Sequence, residues 1–170
     1  PEMVMAYAMS SDYGQFEKME ELNIPVVLNS EYLEKHPLGR AEWIKFVALF
    51  FNKERQADSI FRLIEKNYTE TKNLVDSMQS KPTVLSGIVY GDTWFLPGGQ
   101  NYAANMFKDA GCTYLWEKNP SHGFLQVSFE SVYEKAHLAD LWIGVGTYTS
   151  LLDIEKADHR YTLFSPFARK

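Results

Sequence analysis

Cysteine is almost absent from this chain. Cys112 is the only one in 170 residues, so no disulfide can form within it. It stands in AGCTYLW, an apolar setting, and reads as a small packed hydrophobe rather than a nucleophile. Long apolar runs are also missing. IKFVALFF (44–51) is the most apolar stretch, far short of the roughly 18 residues a membrane-crossing helix needs. Basic charge is thin and scattered: 17 Lys and Arg against 22 Asp and Glu leave a net charge of −5. That balance argues against a general nucleic-acid binder, which presents a basic face.

Signatures of catalysis and metal binding are missing too. The four histidines, 36, 122, 137 and 159, never pair at a ligand spacing such as HxH or HExxH. GVGTYT (144–149) starts like a dinucleotide fingerprint but lacks its third glycine, and PGGQN (97–101) has no Gly-Lys-Ser/Thr behind it. No carboxylate pair reads as a general acid and base. Ser121 beside His122 is not a dyad, because catalytic partners meet in space and not in sequence. No catalytic residue, metal site or cofactor is therefore expected.

What the chain has is a core and an alternating rhythm. Hydrophobic residues make up 45% and aromatics 15%, enough to bury one domain or two small ones. MVMAYAM (3–9) and IPVVLN (24–29) read as strands flanking a helix over 13–23 that stops at Asn23, a βαβ unit. PLGRAEWIKFVALFFN (37–52) reads as a helix. Residues 53–79 then run without Gly or Pro, with Ala57, Ile60, Phe61, Ile64, Tyr68, Val75 and Met78 on one face. As one helix they would span about 40 Å. After Pro82 the rhythm resumes: strand 83–90, helix 101–111, strand 113–116, a helix capped by Ser128, a buried strand at 140–146 and a last helix from Leu151. The chain opens at the first strand with neither an initiator Met nor a signal-peptide pattern, so a piece of a longer protein is expected.

One stretch needs a specific explanation. DTWFLPGGQN (92–101) sets Trp94 and Phe95 before a glycine pair and a helix start. It is either a plain turn or a ligand-facing loop beyond the carboxyl end of a strand, where α/β sheets bind their ligands. The flanking Asp92 and Gly98-Gly99 favour a surface loop over a core position for both aromatics. His122, in NPSHGF, also lies in a loop from which it could reach a cleft. Glu130, early in the 128–138 helix and off its apolar stripe, is either a charge favoured by the helix dipole or one projected to a partner.

The succession of these elements resembles the substrate-binding proteins of ABC importers for siderophores, haem and cobalamin, the helical-backbone receptors of periplasmic binding protein class III. PEMVMAY is similar to that family's P-D-L-V-I strand, and MEELNIPVVLN to its L-x-x-L-G-I-P-V-V unit. PLGRAEWIKFVALFFNKERQAD resembles the entry to its linking helix, and NYAANMFKDAGC its n-x-x-x-x-x-l-G-G helix. VSFESVYEKAHLADLWIG resembles its s-x-E-x-v-x-x-x-x-P-D-v-i-i signature, with AHLAD in place of N-P-D.

The resemblance implies an α/β fold of two Rossmann-like lobes joined by one long helix, the first lobe truncated. Residues 1–52 would be the remainder of the amino-terminal lobe, 53–80 the linking helix and 81–170 an incomplete carboxy-terminal lobe. It implies a non-catalytic receptor that captures an iron complex (siderophore or haem) or cobalamin between its lobes and hands it to a membrane permease. Localisation would be periplasmic, or on the envelope as a tethered lipoprotein. By position, Tyr7, Trp94, Phe95, His122 and Phe124 would line the ligand site. Tyr7, Tyr90, Tyr102 and His122 are available as haem ligands. Glu130 would dock on the permease, and Asp12 is the nearest substitute for the first-lobe docking Glu. The alternatives are a two-lobed enzyme, such as a nucleotide-sugar transferase or small oxidoreductase, and an interaction module that binds no solute.

Overall fold

Apolar runs become short strands and amphipathic runs become helices in the computed structural model, which describes residues 1–7 and 14–168. The chain divides into two compact units, Pro1–Glu34 and Lys35–Lys170. In the first, β1 (Val4–Ala6) and β2 (Val26–Leu28) pair in parallel, with Val4 opposite Val26 and Ala6 opposite Leu28. Between them lies α1 (Glu17–Glu21). It is shorter than the helix read from sequence, because four of its five residues are charged and none is buried. Asn23, at φ 54°, turns the chain out of it.

The second unit begins with two helices. In α2 (Pro37–Leu49), Pro37 sits at the start, where its missing N–H costs nothing, and the His36 ring accepts from Leu38 N. The 23-residue α3 (Glu54–Asp76) realises the long helix expected from its periodicity. It buries Ala57 and Phe61 while Ile60, Leu63 and Leu74 stay exposed. Lys45 lies over the Phe61 ring at 4.0 Å and reaches Asp58, so α2 packs with α3. The sequence reading drew its first boundary after residue 52 and its second after 80. In the structure α2, α3 and the strands that follow share one unit, and the division falls after Glu34.

The expected strand over 83–90 is two strands. β3 (Thr83–Ser86) and β4 (Ile88–Tyr90) are separated by Gly87. Gly87 has φ +86°, and a Cβ there would strike the Phe95 carbonyl oxygen, so only glycine fits. The chain thereby passes from one sheet to another. β3 is the centre of a parallel sheet, flanked by β6 (Thr113–Tyr114) and β8 (Leu141–Ile143). β4 pairs antiparallel with β5 (Thr93–Pro97), and β5 with β7 (Phe124–Val127). This second sheet was not foreseen. The strand expected at 140–146 is neither so long nor buried: β8 holds a sheet edge and exposes Leu141 and Ile143.

The parallel sheet is tied at its start by Asp140, whose Oδ2 accepts from Thr83 N and Thr83 Oγ1, both at 2.9 Å. Three helices complete the packing: α4 (Tyr102–Asp109), capped by Asn101; α5 (Phe129–Ala136), capped by Ser128; and α6 (Leu151–Ala157), capped by Ser150. A 3-10 turn over His159–Leu163 and the short α7 (Ser165–Ala168) close the unit. Cys112 is half-buried against the core, and burial pushes its thiol pKa up.

Trp94 is the hub of that core. It is 0% exposed, and its Nε1 donates to the Ser86 carbonyl at 3.1 Å. The rings of Phe164, Trp142, Tyr161 and Phe129 surround it with centroids 5.4–6.0 Å away. The expectation of a loop position at Trp94 is therefore corrected: it is an inward residue of β5 and offers no ring face to a ligand. The reason is a strand where a loop was read.

Trp94→Ala should cost about 3–5 kcal/mol by urea denaturation. Phe95→Ala, on the opposite face of the same strand, should cost about 1 kcal/mol. Equal costs would contradict the assigned register.

Candidate functional site

Strand alternation puts Trp94 inward and Phe95 outward. Register carries this across the sheet: Phe95 stands opposite Ile88 on β4 and Gln126 on β7, while Tyr90 faces Thr93 and Phe124 faces Pro97. Tyr90, Phe95 and Phe124 thus share one face, one aromatic from each strand. Tyr90 is 80% and Phe124 69% exposed, with Phe95 half-buried between them. Tyr90 and Phe95 meet edge to face at 6.4 Å. Phe124 and Phe95 are diagonal neighbours across the strands, within reach for long aromatic side chains. A solvated antiparallel face normally carries polar residues, so three aromatics here mark a surface fit for an apolar or π-rich ligand.

The glycine pair that follows β5 serves close packing. Gly98 N donates to Gly123 O and Gln100 N to Ser121 O, and a Cβ on Gly98 would strike the Ser121 carbonyl oxygen. The loop over 119–123 therefore lies flat against 98–101, and Asn101 Nδ2 adds a bond to His122 O at 3.0 Å. This loop presents His122, which is exposed. Its Nδ1 lies 3.3 Å from the Gln100 carbonyl, where it can only donate. Nε2 then carries the lone pair, 3.4 Å from Lys35 Nζ. A backbone carbonyl thus sets the tautomer, the arrangement that orients ligating histidines elsewhere. Among the described residues, no three His, Cys, Asp or Glu cluster to hold a metal ion.

A second cluster joins three helices. The Asp109 side chain, 9% exposed, accepts from Tyr68 Oη at 2.7 Å and lies 2.7 Å from Lys72 Nζ and 3.1 Å from His36 Nε2. Burial pushes the Asp109 carboxyl up, but hydrogen bonds from Lys72 and Tyr68 and the charges of Lys72 and His36 outweigh it and leave the pKa lowered. Burial, and next Asp109, push the Tyr68 phenol upward. A groove of about 410 Å³ lined by Ile64, Thr71 and Met106 adjoins them. Sequence reasoning missed this cluster, counting Tyr68 only as an apolar position. The available signal was His36 directly before Pro37, a helix-start pair.

The other expected site residues fall as follows. Tyr7 lies in the first unit just after β1, is 51% exposed, and donates to Glu31 Oε1 at 3.0 Å beside the Tyr32 ring. Asp12 lies outside the described residues. Glu130 is exposed in the first turn of α5. Of the five residues expected to line a ligand site, Phe95 and Phe124 share a sheet face, His122 lies in the loop that leads into β7, Trp94 points away, and Tyr7 lies in the first unit.

A family model described as periplasmic binding protein matches residues 1–158. The chain belongs to the periplasmic binding protein family. It is similar to the uncharacterized lipoprotein MJ0878 of Methanocaldococcus jannaschii, with 31% identity over 94% of the chain and 38% of that relative. Among solved structures it is similar to the periplasmic heme-binding protein HutB of Vibrio cholerae: TM-score 0.76, 13% identity, 98% of this chain and 63% of that one. A possible iron-binding (periplasmic solute-binding) protein of Staphylococcus epidermidis gives TM-score 0.75 at 14% identity, over 99% of this chain and 64% of that one. These likenesses establish the α/β fold. The chain spans less than half the length of the curated relatives it matches.

Asp109→Asn should lower stability at pH 7 by about 2 kcal/mol, leaving Lys72 and Tyr68 without their anion. Because the Asp109 pKa is lowered, its contribution is present above the usual carboxylate value near 4 and is lost as pH falls through the lowered one. The gap between wild type and variant should therefore shrink as pH falls below about 4 in urea melts. A gap that stays constant would show that the charge does not matter.

Proposed function

We propose that this chain is part of a non-catalytic receptor of an ABC importer, exported or lipid-anchored at the cell envelope. It captures an iron complex (siderophore or haem) or cobalamin and delivers it to the permease. One observation carries the reading: a solvated sheet face bearing Tyr90, Phe95 and Phe124 in a member of a binding-protein family. Large π faces suit a flat macrocycle or a catecholate. The heme-binding and iron-binding descriptions of the two structural neighbours point to the same ligand classes. His122, in the loop that leads into β7, is a further ligand residue of this unit, and Tyr7 is one of the first unit. Glu130 and Asp12 are the docking carboxylates. No observation favours the enzyme reading.

Calorimetric titration of the full-length protein with haem, cobalamin and ferric siderophores should give saturable binding of one class. Phe95→Ala/Phe124→Ala should weaken it about ten-fold, the loss of two aromatic contacts. Unchanged affinity in that variant would place the ligand elsewhere, and binding of none of these ligands would sink the reading.

Glu130→Gln should leave ligand affinity unchanged and reduce uptake in cells about ten-fold, the scale of one lost charge-assisted contact. Full uptake would remove Glu130 from docking.

A further inference from the structure

Glu130 does not stand alone at the start of α5. Next to it in sequence is Phe129, and over the Phe129 ring lies the Arg160 guanidinium, 4.4 Å from the centroid. A cation beside the first turn of α5 could pair with the exposed Glu130 carboxylate and cancel its charge. Here it is held elsewhere. Arg160 Nε lies 3.0 and 3.1 Å from the two Asp158 oxygens, and a terminal nitrogen lies 2.7 Å from Oδ2. This is a bidentate fork, the strongest geometry for such a pair. Asp158 is itself fixed, because its Oδ1 also accepts from Arg160 N at 2.9 Å and caps the 3-10 turn. Each partner shifts the other in agreement: the hydrogen bond to Arg160 lowers the Asp158 pKa, and that to Asp158 raises that of Arg160. After Asp158, Glu130 is the carboxylate whose field Arg160 feels most.

We propose that Asp158 is a positioning residue that holds Arg160 against the Phe129 ring and off Glu130, keeping the Glu130 carboxylate open to a cationic partner. The inference rests on the docking role given to Glu130 above. It adds a device to that role: Asp158 occupies the guanidinium that would otherwise be available to Glu130. Stacking on Phe129 fixes the plane of the guanidinium, so the fork and the ring together define one orientation.

The test reads Glu130 directly and needs no permease. Carbodiimide-driven labelling of carboxylates with glycine ethyl ester, followed by mass spectrometry, reports how open each one is in the full-length protein. Asp158→Ser keeps a capping oxygen but is too short to hold the guanidinium. Glu130 labelling should fall about two- to five-fold in that variant, the strength of an exposed ion pair. It should return to the wild-type rate in Asp158→Ser/Arg160→Gln, where that guanidinium is gone. If the serine variant folds poorly, Asp158→Asn, which keeps the cap and the side-chain volume, should show the same direction. Unchanged labelling in the folded variants would overturn the proposal, as would a fall that persists without Arg160. A null effect of Glu130→Gln on uptake would refute the docking role while leaving this labelling result intact, so the two failures are separable.

Discussion

The burial of one indole governs the carboxy-terminal unit. Trp94 needs a partner for its Nε1 and a shell for its ring, and it obtains both from Ser86 and four aromatics drawn from β8, α5 and the last turns. Once it is inward, the two-residue period of a strand sends Phe95 outward. The ladder to β4 and β7 then decides which residues join Phe95 on that face. The aromatic surface is thus the reverse side of the core, set by the same register. A one-residue slip would trade Phe95 for Trp94 and destroy both at once.

One cluster of charge sits where three helices meet. Asp109 answers to a lysine, a phenol and an imidazole from α3 and the start of α2. An almost buried carboxylate is tolerable only when its oxygens are engaged in this way. His36 has a double duty, since its Nδ1 accepts from the backbone of α2 while Nε2 faces Asp109. That leaves Nε2 as the nitrogen that donates to Asp109.

Elements with strong periodicity were readable from sequence. The long helix 54–76 follows from its apolar stripe, and the cap Ser128 from local chemistry. Features that depend on distant partners were not. The run TVLSGIVY is uniformly apolar, and nothing local shows that Gly87 breaks it between two sheets. Trp94 and Phe95 were taken together because both are large and apolar, and their opposite fates depend on a strand, β7, that lies some thirty residues later. The order of elements was enough for the family, whereas Phe124, expected in a loop, opens β7. The Asp109 cluster was missed because its members come from three helices far apart in the chain, and the Asp158–Arg160 fork because two opposite charges at i, i+2 have no pattern of their own.

Gly87 has a mechanical consequence. β3 and β4 are one run of backbone, so the aromatic sheet is not a separate flap but a continuation of the buried centre of the parallel sheet. Val84 and Leu85 are wholly enclosed, and Trp142 Nε1 donates to the Gly87 carbonyl itself at 2.9 Å. The joint is clamped at the one residue whose torsions could have made it supple. Force applied to Tyr90 or Phe95 passes straight into the stiffest part of the unit, which makes the aromatic face an anvil and not a cushion.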